Sequence, residues 1–389
     1  MPADSQKYLY RSSRTQIPDA YRAGVAIAEE LVEIQPEVLI LFATSHYQAT
    51  LKEIAEGIYD VLGTDVMICG GTGDGIYETQ IVANHGVCAF GINSHAQVKW
   101  SLALEVVSKN QWETAAAAAA RKAQAGLTEP ATFAFVLADG IHADGSQVTK
   151  GLQHVFQIPC LGGLSADDRQ FKSTAVLAGH QASEKAVVVL AASGNLPFRI
   201  HIASGWIPFG DKGDVTHAEG KRLYTINGVK AMDFISEQTG KRLGEMDLGV
   251  MALAETTKTQ PDSFVLRSFS QIHPEDGSIT FFGQVTPGAQ IQICRTSPED
   301  ILNGVDSALA GINSDQFQTA AALIISCAGR KWLLSENGQE ELKRVQQQLG
   351  DIPMIGFPSF GEIGPFRVDE NYSPAYFHNV TFVLCAFGE

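Results

Sequence analysis

Residues 67–78 read MICGGTGDGIYE, a short apolar run that enters a loop with four glycines. In a dinucleotide fold such glycines open a helix, whose N-terminal amides hold the phosphates. Here the chain continues as IYETQIVANHG, with β-like residues and no helical period. A GxxxxGK[ST] phosphate loop occurs nowhere in the chain. The stretch therefore predicts a tight turn that exposes backbone amides at the C-terminal edge of a strand, where open α/β sheets place ligand crevices. The competing reading is purely structural: the glycines let the chain reverse with φ > 0.

Outward from this loop the pattern is regular. VLILFATS (38–45) is an apolar run of strand length, LKEIAEGIYDVL follows with helical period, and DVMIC is a second short strand. After the loop come two β-like runs with Asn84 to Gly86 between them, a hairpin signal. The same order returns as TFAFVLADG, QVTKGLQHVF, IPCL, GGLSADD, STAVLAGH and KAVVVLAAS. It returns again as AALIISCAGR, QEELKRVQQQL, PMIGF, PSFGEIGP and YFHNVTFVLCAFG. The opening strands start near residues 38, 132 and 320, so the intervals are 94 and 188 residues, the second twice the first. A further copy is expected near 226, where INGVKAMDFISEQTG, DLGVMALAE, FVLRSFSQI and SITFFGQV stand. The expected fold is α/β, with mixed sheets built from four β-α-β-β-β units in two halves. The alternative is three units plus an unrelated insert. The Gly- and Asp-rich stretch around 205–220 places the boundary between domains of residues 36–220 and 221–388. The alanine-rich run 113–127 is a strong helix former, expected to lay a small face closely on a sheet.

The chain has 389 residues, 45% of them hydrophobic, which suits two or three packed domains. A net charge of -15 argues against nucleic acid, because neutralising phosphates needs clustered Lys and Arg. No segment approaches the roughly 18 apolar residues of a membrane span, and the N-terminus lacks the apolar stretch of a signal peptide. The six cysteines show no CxxC or zinc spacing. A reduced, cytoplasmic protein is expected.

Residues 321–387, with AALIISCAGR, PMIGFPSFGEIGPF and FHNVTFV, resemble the C-terminal domain of the FIST family. Upstream, CGGTGDGIYE, VLADGI, LGGLSADD and GWIPFG are similar to the FIST N-terminal domain, so the resemblance runs from about residue 36 to 388. It implies a cytosolic, non-enzymatic sensor of small molecules such as amino acids. Some members are described as haem-binding nitric-oxide sensors that regulate histidine kinases. The units fill the chain, so the output is expected to pass to a separate signalling partner.

The candidate ligand residues follow from the loops. Arg330, just past an apolar strand with Ser326 and Cys327, can clamp a carboxylate through two parallel hydrogen bonds. Glu362 of the neighbouring loop either orients Arg330 in a structural ion pair or receives a ligand's ammonium; Phe360 and Gly361 share its loop. Asp74 and Asp168, with Asp167 beside it, belong to the other two loops, and Asp139 opens DGIHAD, whose residue types also suit a divalent cation. Cys327 next to an arginine is a candidate nucleophile for a hydrolase or transferase, although no histidine stands nearby in sequence as its base. Haem b is the candidate cofactor. Its iron ligand would come from His154 on an apolar helix, His201 on a strand, or His378 in the HNVT stretch, each also readable as an ordinary packed or surface histidine.

Overall fold

The structure is a computed structural model that describes residues 7–79, 81–256, 263–312, 317–368 and 371–389. With 28% helix and 43% strand in several mixed sheets, it has the α/β character the periodicities predict. The chain opens with β1 (Leu9–Thr15) and α1 (Ala20–Leu31), and the run after Glu37 becomes β2 (Val38–Thr44), buried at every residue. Helix α2 (Leu51–Leu62) leads to β3 (Met67–Gly73), which lies parallel to β2 with Thr44 opposite Gly73. A strand without polar alternation suits this position, because helices or other sheets cover a parallel strand on both faces. The hairpin β4 (Ile76–Glu78) and β5 (Ile81–Ala83) follows. Then β6 (Val87–Asn93) returns antiparallel to β2, and β7 (Val98–Val106) leads into α3 (Trp112–Ala125).

The second unit repeats this order. It comprises β8 (Phe133–Ala138), α4 (Gly145–Gln153), β9 (Cys160–Leu164), the hairpin β10 (Val176–Ala178) and β11 (Gln181–Ser183), β12 (Ala186–Gly194), and β13 (Phe198–Ala203). Strands β8 and β9 are parallel, and β12 pairs antiparallel with β8.

The segment expected to hold the fourth copy folds differently. It runs through β14 (Ile207–Glu219), β15 (Arg222–Ile226), β16 (Val229–Lys230), α5 (Ala231–Thr239), β17 (Ala252–Thr256), β18 (Phe264–His273), β19 (Ser278–Phe281) and β20 (Gln290–Arg295). Its pairings are antiparallel among the described residues, in the order β14-β20-β17-β18-β19-β15-β16, so the parallel pair that defines the other units is missing. The physical reason lies before α5. Asn227 and Gly228 both adopt positive φ, 51° and 78°, and make a tight hairpin turn where a unit would need its opening strand. The molecule is therefore three units plus an insert. The expected boundary at 220/221 falls in the turn of the β14–β15 hairpin, at Gly220 with φ 57°.

The last unit comprises α6 (Pro298–Ile312), β21 (Thr319–Cys327), α7 (Ala328–Leu334), α8 (Glu340–Leu349), β22 (Met354–Ser359), the hairpin β23 (Glu362–Val368) and β24 (Asn371–His378), and β25 (Phe382–Gly388). Again β21 and β22 are parallel, and β25 is antiparallel to β21.

The three units exchange hairpins in a ring. The hairpin of the first unit, β4–β5, adds to β22 of the third; β23–β24 of the third adds to β9 of the second; and β10–β11 of the second adds to β3 of the first. The strand between units also crosses over: β7 pairs with β12, and β13 with β25. Residues before 204 and after 318 thus share their sheets. The Asn84 to Gly86 turn joins β5 to β6 in a different sheet, and so does not close the hairpin expected there.

The inner faces of the three six-stranded sheets meet in one cluster. Phe42 lies 4.3 Å from Phe357 and 6.4 Å from Phe135, while Phe387 lies 6.0 Å from Phe90 and 6.1 Å from Phe133. Fully burying each such ring is worth roughly 1.5–3 kcal/mol. The outer faces carry the helices: α1 and α2 on the first sheet, α3 and α4 on the second, α6 and α8 on the third. As expected, α3 turns its alanines inward, and a Cβ on Gly151 of α4 would come within 2.8 Å of the Ala116 methyl.

Candidate functional site

The glycine loop has a specific task. It carries the chain out of the first unit's sheet, after β3, toward β22. A side chain at Gly73 would meet the Phe357 Cβ at 2.9 Å. Gly75 has φ 99°, and a Cβ there would stand 3.0 Å from the Lys331 ammonium. Between them Asp74 is pinned by its amide, which donates to the Pro358 carbonyl at 3.0 Å.

Asp74 is the centre of a polar cluster at the C-terminal edges of β2, β3 and β21. Its side chain is 5% exposed. Lys331 Nζ reaches Oδ1 at 3.0 Å and the Asp74 carbonyl at 2.5 Å, and the Trp332 indole N–H donates to Oδ2 at 2.5 Å. Both donors are on α7. The loop after β9 supplies the rest. Asp168 accepts from the Ser45 hydroxyl at the end of β2, and its Oδ2 lies 3.9 Å from His46 Nδ1. Burial raises the Asp168 carboxyl above its usual range; the Ser45 hydrogen bond opposes this, and the nearby Asp74 adds to it. The Arg169 guanidinium lies over the Trp332 ring at 4.2 Å, a cation–π distance. Phe171 stacks on Phe360 at 4.7 Å and meets Trp332 edge-on at 5.9 Å.

This loop is held under strain. Asp168, Arg169 and Phe171 have φ of 53°, 61° and 50°, a region that costs a non-glycine residue of order 1 kcal/mol or more. Asp167 fixes the shape by accepting from the amides of Phe171, Lys172 and Ser173 at 2.8, 2.6 and 3.0 Å. Beneath the loop is a cavity of about 20 Å³, bordered by Phe171, Phe360, Trp332, Cys327, Gly329 and Asn379. That is room for about one water molecule, so a larger ligand enters only if the loop lifts.

The structure brings together Asp74, Asp168, Phe360 and Cys327 from the residues singled out in the sequence. It places the others elsewhere. Arg330 has no exposed surface, and its partner is Glu341 rather than Glu362. Nε donates to Glu341 Oε1 at 2.8 Å, Nη2 to the Ile301 carbonyl at 3.0 Å, and Nη1 to the Ser204 carbonyl. Ser326 donates to the same Glu341 at 3.0 Å. The guanidinium and the serine hydroxyl are thus committed to the fold, and the carboxylate clamp read from the sequence is corrected on this ground. Glu362 accepts from the Ser359 hydroxyl at 2.6 Å and from the Thr381 amide and hydroxyl at 3.0 and 2.8 Å. Burial raises its carboxyl to about 7. Gly361 packs on Phe377, where a Cβ would come within 2.4 Å of the ring.

Asp139 is closed off as well. It accepts from the Ile141 and His142 amides, from the Thr174 hydroxyl at 2.5 Å, and lies 2.6 Å from His142 Nδ1, so it organises its own turn. Asp144 caps α4. The Cys327 thiol is pushed well above its ordinary range by burial and by the nearby Glu362, the opposite of an activated nucleophile. Of the histidines, His154 ends α4 at the surface beside Glu113, at 2.9 Å. His201 and His378 border one cavity of about 540 Å³. His378 directs Nε2 at the Gly364 carbonyl at 3.2 Å, and burial lowers its imidazole to about 3. Nδ1 of His201 is buried without a hydrogen-bond partner.

Lys331, Trp332, Ser45, Arg169 and Phe171 were not singled out in the sequence. The available signal was local: Lys331 and Trp332 directly follow Arg330 in SCAGRKW. Among the described residues, no helix is long and apolar enough to cross a membrane.

Comparison with known proteins accords with these motifs. The model of the FIST N domain matches residues 37–229, and that of the FIST C domain residues 231–365. An uncharacterized protein of Mycobacterium bovis is 24% identical over 217 residues, covering 53% of this chain and 55% of its own length. The chain thus spans about half the length of that relative. An uncharacterized protein of Methanocaldococcus jannaschii is 20% identical over 400 residues, covering 91% of this chain and 75% of its own. Among solved structures, a cyanuric acid hydrolase from A. caulinodans aligns over 98% of this chain and 99% of its own, at 9% identity and a TM-score of 0.38.

Proposed function

The chain belongs to the FIST family, whose domains are small-ligand-sensing signal-transduction domains, and from that premise we propose that it senses an amino acid or similar small carboxylate in the crevice around Asp74. The observation that carries this reading is the convergence of opposite charges beneath one strained loop. Lys331 and Arg169 offer cations to a carboxylate, while Asp168 and Asp74 offer anions to an ammonium. Trp332, Phe171 and Phe360 supply an apolar wall. Binding would exchange Lys331 from Asp74 to the ligand and lift the loop, shifting the population between closed and open states. A separate cytoplasmic signalling protein, such as a histidine kinase, would read the loop.

The test is a thermal-shift screen of α-amino acids, followed by calorimetric titration of the best one into wild type, Lys331→Met and Asp168→Asn. Both variants should lose at least about tenfold in affinity, or about 1.4 kcal/mol. Unchanged affinity in a folded Lys331→Met protein would remove the crevice from consideration. A haem reading is favoured by a single observation, the buried unpartnered Nδ1 of His201 beside the larger cavity. A Soret band in the purified protein that disappears in His201→Ala would support it, and a colourless protein after haem supplementation would end it.

A further inference from the structure

We propose that the cavity between the insert and the three-unit body is a second small-molecule site, for a monoanionic carboxylate that also carries one amide N–H or hydroxyl donor. The cavity measures about 420 Å³, within the range of small-molecule sites, and lies at an interface between structural parts, a frequent place for them. One wall is the insert, with Glu255 on β17 and Arg267 on β18. The opposite wall is the body, with Lys150 and Gln153 on α4 and Tyr376 on β24.

The unusual feature is the Glu255–Arg267 pair. Their side chains are only 6% and 9% exposed, and Arg267 Nε lies 3.4 Å from Glu255 Oε2. At that distance the charges compensate, yet neither atom makes a hydrogen bond. By contrast the wholly buried pair Arg330–Glu341 has a hydrogen bond from Nε at 2.8 Å. The other end of Arg267 is fixed, since Nη1 donates to the Phe377 carbonyl at 2.6 Å. Leaving a buried donor and a buried acceptor unsatisfied is costly. A ligand whose entry turns the pair toward the cavity, donating to Oε2 and accepting from the guanidinium, would satisfy both at once.

Charge selects the ligand's sign. Arg267 and Lys150 against Glu255 leave one net positive charge in the lining. Asp144, behind Gln284, faces Lys221 and does not cancel it. Lys150 is exposed and, among the described residues, donates to the Gln284 side chain at 3.0 Å, an exposed contact it can leave to turn toward a carboxylate. Val265, Val285, Ala289 and Phe377 give an apolar floor for the ligand's body. Because the ligand would touch both walls, it would clamp the insert to the body.

The proposal is independent of the amino-acid crevice, and its test keeps the two apart. The probes are N-benzoylglycine and N-acetylglycine, each with one carboxylate and one amide N–H. They are titrated into the full chain by calorimetry, with saturation-transfer NMR as a second readout. Binding is expected at sub-millimolar to millimolar concentration, tighter for the benzoyl compound. Glu255→Gln, which keeps the volume, should weaken it about tenfold or more, and the exposed Lys150→Ala at least about threefold. Lys331→Met should leave it unchanged. If neither probe binds at about 5 mM, or if binding survives Lys150→Ala and Glu255→Gln unaltered, the site does not exist. Binding that disappears in Lys331→Met instead assigns the probe to the first crevice and overturns the proposal.

Discussion

Arg330 and Lys331 are neighbours in sequence and on α7, and both face a carboxylate from another element, yet they belong to different kinds of structure. Arg330 is wholly buried, and three of its nitrogens donate to Glu341, Ser204 and Ile301, which ties α7 to α8, to α6 and to the turn after β13. The side chain of Lys331 keeps 16% of its surface exposed and holds Asp74 beneath a loop whose backbone is strained. The difference separates a wholly buried cation whose donors are committed to the fold from a partly exposed one, and it is the second kind that the proposed exchange with a ligand requires. Type and sequence position do not separate them; donor accounting and burial do.

The largest expected effect breaks the first member of the pair. Arg330→Ala leaves Glu341 buried without its cation, which should cost roughly 3–5 kcal/mol. Denaturant unfolding measures this. Arg330→Met combined with Glu341→Leu should recover most of the loss, because the uncompensated charge is removed. If the single variant is nearly as stable as wild type, the two cations do not differ in kind.

Glu362 sharpens the comparison from the side of the carboxylates, since it is buried with hydroxyl and amide partners and no bonded cation. Its folded value of about 7 lies above the ordinary 4.5. A raised acid binds its proton more tightly in the folded state, so its contribution to stability should fall as pH rises from about 4.5 to 7 and level off above. Each tenfold in proton affinity corresponds to about 1.4 kcal/mol. The difference in unfolding free energy between wild type and Glu362→Gln, followed across that window, isolates the group. A flat difference would show that Glu362 titrates normally.

The legible parts of this molecule were those set by local pattern. The unbroken apolar runs of β2, β8 and β21 announced strands, and the alanine run of α3 announced close packing. The ring of exchanged hairpins was not legible, because period-two alternation shows that a strand is half-buried without showing which sheet receives it. Asn227–Gly228 is an Asn-Gly pair, a hairpin signal in its own right, whereas the 94-residue interval predicts an opening strand at the same place. At the site, successive residues of a helix point about 100° apart. No composition rule says whether Arg330 or Lys331 faces the crevice until β13, α6 and α8 are in place. Glu341, which decides the matter, lies in a helical stretch that the sequence marks only by its period.

The third effect is smaller. Lys331→Met removes one of the two side-chain donors on Asp74 while Trp332 keeps the other. The stability cost should be about 1–3 kcal/mol, below that of Arg330→Ala. Its larger consequence should be loss of the amino-acid response described above. A variant that melts like Arg330→Ala would place Lys331 among the structural ties.

The smallest effect concerns the cover itself. Phe171 is 46% exposed although it stacks on Phe360, so most of what a core phenylalanine contributes is absent. It also holds a positive φ, which serine tolerates no better. Phe171→Ser should therefore change stability by less than about 1 kcal/mol. If the loop is a lid, the same change should open the cavity bordered by Cys327 and Trp332, speeding both association and release of the ligand while the affinity moves less. Trp332 reports this directly, because its ring carries Arg169 on one face and meets Phe171 at an edge. Stopped-flow fluorescence of wild type and Phe171→Ser, with Trp332→Phe to subtract the other three tryptophans, measures both rates. Rates that rise together identify a gate over a site. Rates that stay fixed, with only the melting temperature changed, make the loop one more structural tie and dissolve the contrast between Arg330 and Lys331.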